Sequence, residues 1–346
     1  MTREHQGIHR KVTLRDIAGT TGFSVNTVSH ALKGKSDISL ATRQLIRQTA
    51  KDLGYIADTV AGSLRSGVSC TIAVIMGDMS NPHFGQWVRE IETVAFQKGY
   101  STLIINTDED AGVERAGIKT AIGKRVDGII LCPTQDSLNN LDLLKSTGIP
   151  FVLIGRRWDD PSLNYVVPDE VQGGCIATRY LLDRGCHNIL MLNGPSHISS
   201  ASERQTGFCQ AHLEQGLTCD QRYIRHVGIK SAQCRAVLEQ VLDEGLPFDG
   251  VLAFSDLLAL EAITVLQDSR RFADSIPVVG FDDILNGLML PVSLTSVTSA
   301  EGSIAGHAVD ILIPLMKKID DDRISPDTGP IQKVLRVKLA EHSHNW

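Results

Sequence analysis

Long apolar runs are missing from this 346-residue chain, and none approaches the ~20 residues of a membrane-spanning helix. The opening stretch, Met1 to Lys11, is polar and lacks the apolar centre of a secretion signal, which predicts a cytoplasmic protein. No C-x-x-C pair occurs among the seven cysteines Cys70, Cys132, Cys175, Cys186, Cys209, Cys219 and Cys234. An odd count without paired spacing argues against a disulfide framework and against a thiolate zinc site; buried apolar thiols in a reducing compartment are expected instead. Low-complexity segments and short repeats are also lacking, and an apolar content of 42% excludes a disordered chain. The first strand-like run leads into Gly77-Asp-Met-Ser-Asn81 without G-x-G-x-x-G or G-K-[ST], so no phosphate cradle is expected there. No Ser/His/Asp or Cys/His set is recognisable. The expectation is a chain that is not an enzyme and carries neither cofactor nor metal.

Positive charge is scarce overall, since the net charge is −6, but it is unevenly spread. Residues 1–66 hold ten Lys/Arg and five Asp/Glu, whereas the remaining 280 hold 24 and 35. A basic head on an acidic body suits a protein that offers one end to phosphates and keeps the rest away.

The head reads as short helices. Thr13 with Asp16 has capping-box spacing ahead of Leu14, Ile17 and Ala18, and Gly22 ends that helix. Ser24 caps a second helix with Val28 and Leu32 inward and Gly34 as its stop. Ser39 caps a third, with Leu40, Ile46 and Leu53 inward and Gly54 beyond. Asp58 precedes Thr59–Arg65, whose Ala61, Gly62 and Ser63 give weak helicity, so this segment is expected to order only on a partner.

From Ser69 onward, apolar runs of strand length alternate with amphipathic helical stretches. Strands are expected at Thr71–Met76, Thr102–Asn106, Gly128–Cys132, Phe151–Ile154, Asn188–Leu192, Gly250–Phe254 and Val278–Phe281. Between them, helical stretches are expected, such as Trp87–Gly99, Ala111–Lys124, Val171–Arg184 and Asp256–Gln267. This rhythm predicts an α/β core of doubly wound parallel sheets, split into two lobes near Val167-Pro-Asp169.

Thr13–Gly34 offers a helix, a Gly-containing turn and a second helix with a polar outer face, the pattern of a helix-turn-helix. In Ser24-Val-Asn-Thr-Val-Ser-His30, Val28 faces inward while Val25, Asn26, Ser29 and His30 face out. Asn pairs bidentately with adenine, His donates to a purine N7 or O6, and Val meets a thymine methyl. Ser24, Thr27 and Thr42 suit phosphates at helix N-termini.

Several runs carry a resemblance. They are Thr13-Leu-Arg-Asp-Ile-Ala18, Gly22-Phe-Ser-Val-Asn-Thr-Val-Ser-His-Ala-Leu32, Ile38-Ser-x-x-Thr42-Arg43, Leu53-Gly-Tyr55 and Ala61-x-x-Leu64-Arg65. Together they look like the headpiece of the lactose/galactose-repressor family. Asn81-Pro-His-Phe84, Lys124-Arg-Val-Asp-Gly128, Arg204-x-x-Gly207-Phe208 and Val279-Gly-Phe-Asp-Asp283 are similar to that family's periplasmic-binding-protein-like core. The resemblance implies base reading by Val25, Asn26 and His30, with His30 standing where many members carry Arg. It implies phosphate contacts from Ser24, Thr27, Ser29, Ser39, Thr42 and Tyr55, and a minor-groove wedge at Leu64. Thr13 and Ala61, within the same runs, are counted with the DNA-binding set. Asp58 departs from the Asn frequent at its position and is expected to serve only as a cap.

For the core, the resemblance implies an effector between the lobes, held by Phe84, Arg204 and Asp282, with Ser255 standing where some members carry Asn. Arg156, after the fourth strand, faces the same cleft and is expected to meet an anionic or polyhydroxyl group. Trp158 either stacks on it or closes a loop. Gly228-Ile-Lys-Ser231 lacks the aromatic with which purine-binding members stack a base, which favours a sugar or sugar derivative. The expected organisation is a DNA-binding domain at 1–57, a hinge at 58–68 and a core at 69–346. Lobe 1 takes about 69–167 and 300–325, and lobe 2 about 168–299 and 326–346. The expected protein is a homodimer on near-palindromic double-stranded operator DNA, repressing carbohydrate-utilisation genes under control of the effector, with no membrane contact. No leucine heptad marks the tail, Leu335–Trp346, so a tetramer is not expected.

Overall fold

The structure, a computed structural model, describes residues 11–56, 67–229, 231–269, 276–286, 293–320 and 329–342. The chain divides into two compact units, Met1–Ser69 and Cys70–Trp346. The expected hinge segment, with Asp58, Ala61 and Leu64, lies outside the described residues.

In the first unit, α1 (Leu14–Thr21), α2 (Val25–Leu32) and α3 (Leu40–Asp52) close around Ile17, Val28, Ala31 and Ile46, all fully buried. Sequence-encoded stops set the bounds. Gly22 and Gly54 take positive φ, a conformation that a Cβ disfavours. Two residues expected to face inward do not: Leu40 is 65% and Leu53 37% exposed. Leu40 opens α3 and Leu53 caps its C-terminus; Ile46 and Ala50, one helical turn apart, fill the core instead.

The second unit holds two six-stranded sheets. Its elements run β1 (Thr71–Met76), α4 (Pro82–Gln97), β2 (Ser101–Asn106), α5 (Ala111–Gly123), β3 (Gly128–Leu131), α6 (Asn139–Thr147), β4 (Phe151–Ile154) and β5 (Tyr165–Pro168). They continue with α7 (Glu170–Asp183), β6 (Ile189–Asn193), α8 (Ser199–Glu214), β7 (Ile224–His226), α9 (Ser231–Glu244), β8 (Gly250–Ala253), α10 (Asp256–Ser269) and β9 (Val278–Phe281). The last elements are β10 (Leu294–Ser299), α11 (Ile304–Asp320), β11 (Gln332–Leu335) and β12 (Val337–His342).

The first sheet is parallel throughout, in the order β11-β5-β4-β3-β1-β2. The second runs β12-β10-β9-β8-β6-β7, with only β12 antiparallel. Strands β1 and β3 are solidly apolar because each face is covered. In the first lobe, α4 and α11 lie on one side and α5 and α6 on the other. In the second, α9 and α10 face α7 and α8 across the sheet. The α/β reading with two doubly wound lobes therefore holds.

The chain passes between lobes after β5, after β10 and between β11 and β12. That last crossing corrects one expectation. Residues 326–346 were assigned to lobe 2, but β11 pairs with β5 in the first sheet, and only β12 joins the second.

The cysteine expectation also needs correction. Cys132, Cys175, Cys186 and Cys234 are buried, but Cys70 is exposed and Cys209 is disulfide-bonded to Cys219. The turn that follows α8 brings their Cα atoms to 5.1 Å, a bridgeable distance that ten residues of sequence separation do not reveal.

Candidate DNA interface and effector site

In the first unit, the same cap opens α2 and α3. Ser24 Oγ accepts from the Thr27 N–H at 3.0 Å and touches the Thr27 hydroxyl at 2.8 Å. Ser39 Oγ repeats this with Thr42 at 3.2 and 2.9 Å. Each Ser/Thr pair thus stands at a helix N-terminus, where free backbone N–H groups attract anions. Thr13 begins α1, and both its N–H and its hydroxyl donate to Asp16 Oδ2 at 2.8 and 2.7 Å.

At ~100° per residue, Val25, Ser29, Asn26 and His30 share one arc of α2, opposite Val28 and Ala31. Val25 (41%) and Asn26 are exposed, and Ser29 and His30 half-buried, so the arc is an accessible mixed surface. Tyr55 packs beside the headpiece core and is partly exposed. Sequence reasoning missed the partner of His30: its Nδ1 lies 2.7 Å from Asp37 Oδ2.

In the second unit, a cavity of about 310 Å³ opens at the carboxyl ends of both sheets and is lined by residues of both lobes. Ligands of open α/β sheets bind at such crevices, and the volume lies at the small-molecule end of the usual range. Phe84, Arg156, Arg204, Ser255 and Asp282 all line it. Trp158 does not; it packs against the core beneath α5 and α6. Trp87 takes the aromatic place that sequence reasoning overlooked, edge-to-face with Phe84 at 5.7 Å. One helical turn separates these two rings, and that spacing was the available signal.

Both arginines are already engaged. Arg204 sits on α8, and α8 comes unusually close to α7. A Cβ at Gly207 would stand 2.0 Å from the Val171 carbonyl oxygen, and one at Gly174 2.2 Å from that of Arg204. This approach lets the Arg204 guanidinium grip Glu170 in a fork, Nε to Oε2 at 2.7 Å and Nη2 to Oε1 at 2.8 Å. Its Nη1 donates to the Phe254 carbonyl oxygen, and its plane lies 3.9 Å from the Phe281 ring centre. Burial lifts the Glu170 carboxyl above its ordinary range, against the pull of Arg204. Arg156 forks onto Glu109 at 2.7 and 2.9 Å, and its Nη1 also donates to the Pro133 carbonyl oxygen at 3.1 Å.

Asp282 follows β9 with φ +101°, and Asp283 with +57°. Non-glycine residues hold such angles only where their surroundings fix them. Here Asp256 braces the turn. Its carboxylate accepts from the Ile284 N–H at 2.9 Å and from the Ser296 hydroxyl at 2.8 Å, and Ser296 Oγ accepts from the Asp283 N–H. Burial pushes the Asp256 carboxyl well up, and Asp282 adds to the effect. Ser255 Oγ caps α10 by accepting from the Leu258 N–H at 3.4 Å. Contacts between the lobes surround the cavity. His83 Nδ1 lies 3.3 Å from the Asp282 carbonyl oxygen, the Ser199 N–H donates to Gln135 at 2.9 Å, and Arg157 pairs with Glu203 at 2.8 Å.

No helix among the described residues is long and apolar enough to cross a membrane.

Residues 13–58 match the family described as "Bacterial regulatory proteins, lacI family". Residues 69–335 match "Periplasmic binding proteins and sugar binding domain of LacI family". The chain is similar to the ribose operon repressor of Halalkalibacterium halodurans, at 30% identity over 96% of this chain and 99% of that one. It is 31% identical to the HTH-type transcriptional regulator DegA of Bacillus subtilis, covering 83% and 86% of the two chains. The HTH-type transcriptional repressor PurR of Aliivibrio fischeri is 27% identical, over 90% and 94%. In fold, the lac repressor dimer bound to operator and the anti-inducer ONPF superposes with a TM-score of 0.81, at 23% identity over 96% of this chain and 98% of that one. The chain belongs to the LacI family of bacterial regulatory proteins, and it is a DNA-binding transcriptional repressor, not an enzyme, whose core takes a small-molecule effector.

Proposed function

We propose that Val25, Asn26 and His30 read base edges in the major groove. Ser24, Thr27, Ser29, Ser39, Thr42, Tyr55 and Thr13 hold the flanking phosphates. The observation that carries this is the exposed arc of α2 set between two Ser/Thr-capped helix N-termini. Ala61 and Leu64 complete the set by family resemblance. The protein acts in the cytoplasm as a homodimer on a near-palindromic operator. Phe96 and Ile104, 73% and 47% exposed on the adjoining α4 and β2, support an apolar interface on the first lobe.

The effector is a sugar or neutral sugar derivative, and the genes controlled serve carbohydrate use. Phe84 and Trp87 offer apolar faces to C–H groups, while Asp282 and the remaining N–H groups of Arg204 meet hydroxyls. Arg156 was expected to meet an anionic or hydroxylated group. Its fork onto Glu109, with the matching Arg204–Glu170 fork, leaves no unneutralised arginine for a phosphate among these lining residues and favours an uncharged ligand.

Selection of duplexes from a random library tests the first part, and a near-palindromic consensus is expected. Absence of any sequence preference would sink the reading. Thermal shift against matched neutral sugars and sugar phosphates tests the second. Stabilisation only by the phosphates would overturn it.

A further inference from the structure

The turn after α2 folds back on the recognition helix. Gly34 takes φ +73°, the Lys35 N–H donates to the His30 carbonyl oxygen at 3.1 Å, and Asp37 arrives beside the helix's last turn. Its Oδ2 lies 2.7 Å from His30 Nδ1, with the two side chains 54% and 27% exposed. An ionised carboxylate only accepts, so Nδ1 carries the proton of this bond and Nε2 is the ring nitrogen left for another partner. The His30 contact holds the Asp37 carboxyl below the usual carboxylate range, which keeps it ionised and able to accept. Other charged groups near this turn are Lys33 and Lys35 on the turn itself, and Arg43 and Arg47 on α3, which lie against Gly34. All four are donors and cannot replace Asp37 as the acceptor.

We propose that Asp37 is a positioning residue for operator reading: it fixes the ring orientation and tautomer of His30, so that Nε2 alone meets the base edge. The proposal rests on the reading of His30 as a base contact. An unanchored imidazole flips about χ2 and offers either nitrogen, as donor or acceptor. The major groove distinguishes base pairs by their donor and acceptor patterns, so a flipping ring averages over bases while an anchored one discriminates. Asp37 thereby sets specificity without touching DNA.

The test uses the full chain and the duplex that wild-type protein selects from a random library. Fluorescence anisotropy is then measured on that duplex and on every single-base-pair variant of one half-site. His30→Ala is expected to flatten the preference at one position. Asp37→Ala should flatten the same position by about tenfold, within the range of one good base contact. It should leave preferences elsewhere intact and add nothing to His30→Ala in the double variant. Asp37→Asn, which keeps an acceptor oxygen, should retain most of the preference. If His30→Ala flattens a position that Asp37→Ala leaves intact, the proposal fails and the His30 reading stands. If Asp37→Ala weakens all positions equally and lowers the melting temperature, Asp37 is a structural residue and the proposal fails. If His30→Ala flattens nothing, the His30 reading falls and takes the proposal with it.

Discussion

Glu170 shows how one buried residue shapes the cleft between the lobes. It is 4% exposed, and its fork onto Arg204 aligns the guanidinium between two aromatic rings. Removing one partner of a buried pair strands the other charge, so Glu170→Ala should lose about 3–5 kcal/mol of stability, measurable by denaturant unfolding. The pH dependence has a definite sign. Burial raises the native pKa of Glu170 above the ordinary 4.5. The folded chain therefore holds that proton more tightly than the unfolded chain. The contribution is fully present below 4.5 and is lost as pH rises through the native value. Glu170→Gln should flatten this part of the melting-temperature profile. An unchanged profile would show that Glu170 is not the titrating group. Asp282→Ala, by contrast, should abolish the effector response and leave operator affinity within about twofold, since α2 belongs to the other unit. A persisting response would place the effector elsewhere.

Among the elements, the α7–α8 pair is the one on which the candidate effector site rests. Gly174 and Gly207 let the helices touch through their backbones, and Arg204 reaches Glu170 only because of that approach. Gly207→Ala forces a methyl against the Val171 carbonyl oxygen. It should destabilise the core by about 1–3 kcal/mol and weaken effector binding, read by calorimetry, with operator binding unchanged. On the headpiece, Ser24→Ala removes the α2 cap. About 1 kcal/mol of headpiece stability should be lost, together with one phosphate partner, and melting of the full chain followed by circular dichroism checks the first.

At the scale of the whole molecule, the charge division matters most. The first 66 residues carry a net positive charge and the rest a net negative one, within a total of −6. Operator affinity should therefore fall steeply with salt. For about 6–10 phosphate contacts the loss is about 10³- to 10⁵-fold between 50 and 200 mM. An anisotropy titration across that range measures the slope, and a flat response would show that the capped helix ends do not meet phosphates.

The amino-acid order alone determined the headpiece helices, through Gly22, Gly54 and the Ser-x-x-Thr caps, because caps and stops act within one helical turn. It also determined the buried strands β1, β4 and β9, whose bounds were legible as solid apolar runs. Strands β10 and β12 were not legible, because Leu-Thr-Ser-Val-Thr-Ser and Val-Lys-Leu-Ala-Glu-His carry too many polar side chains to stand out from loops. Helix α8 stands out less for a related reason: it buries Ser200, Arg204 and His212 alongside its apolar residues, so it lacks a clean apolar stripe. The lobe assignment of β11 and the Cys209–Cys219 pair depend on which segments meet in space. So do the partners of the expected site residues. Arg204 was expected at the cleft, but its fork onto Glu170, 34 residues away, exists only because two glycines bring helices into contact. His30 was expected on the reading face, but the carboxylate that holds its ring arrives through a left-handed turn. Sequence set which side chains of α2 face outward and which follow the ends of the strands, since both follow from local periodicity. Tertiary structure decided which of their hydrogen-bonding groups remain free for a ligand, since that depends on neighbours far along the chain.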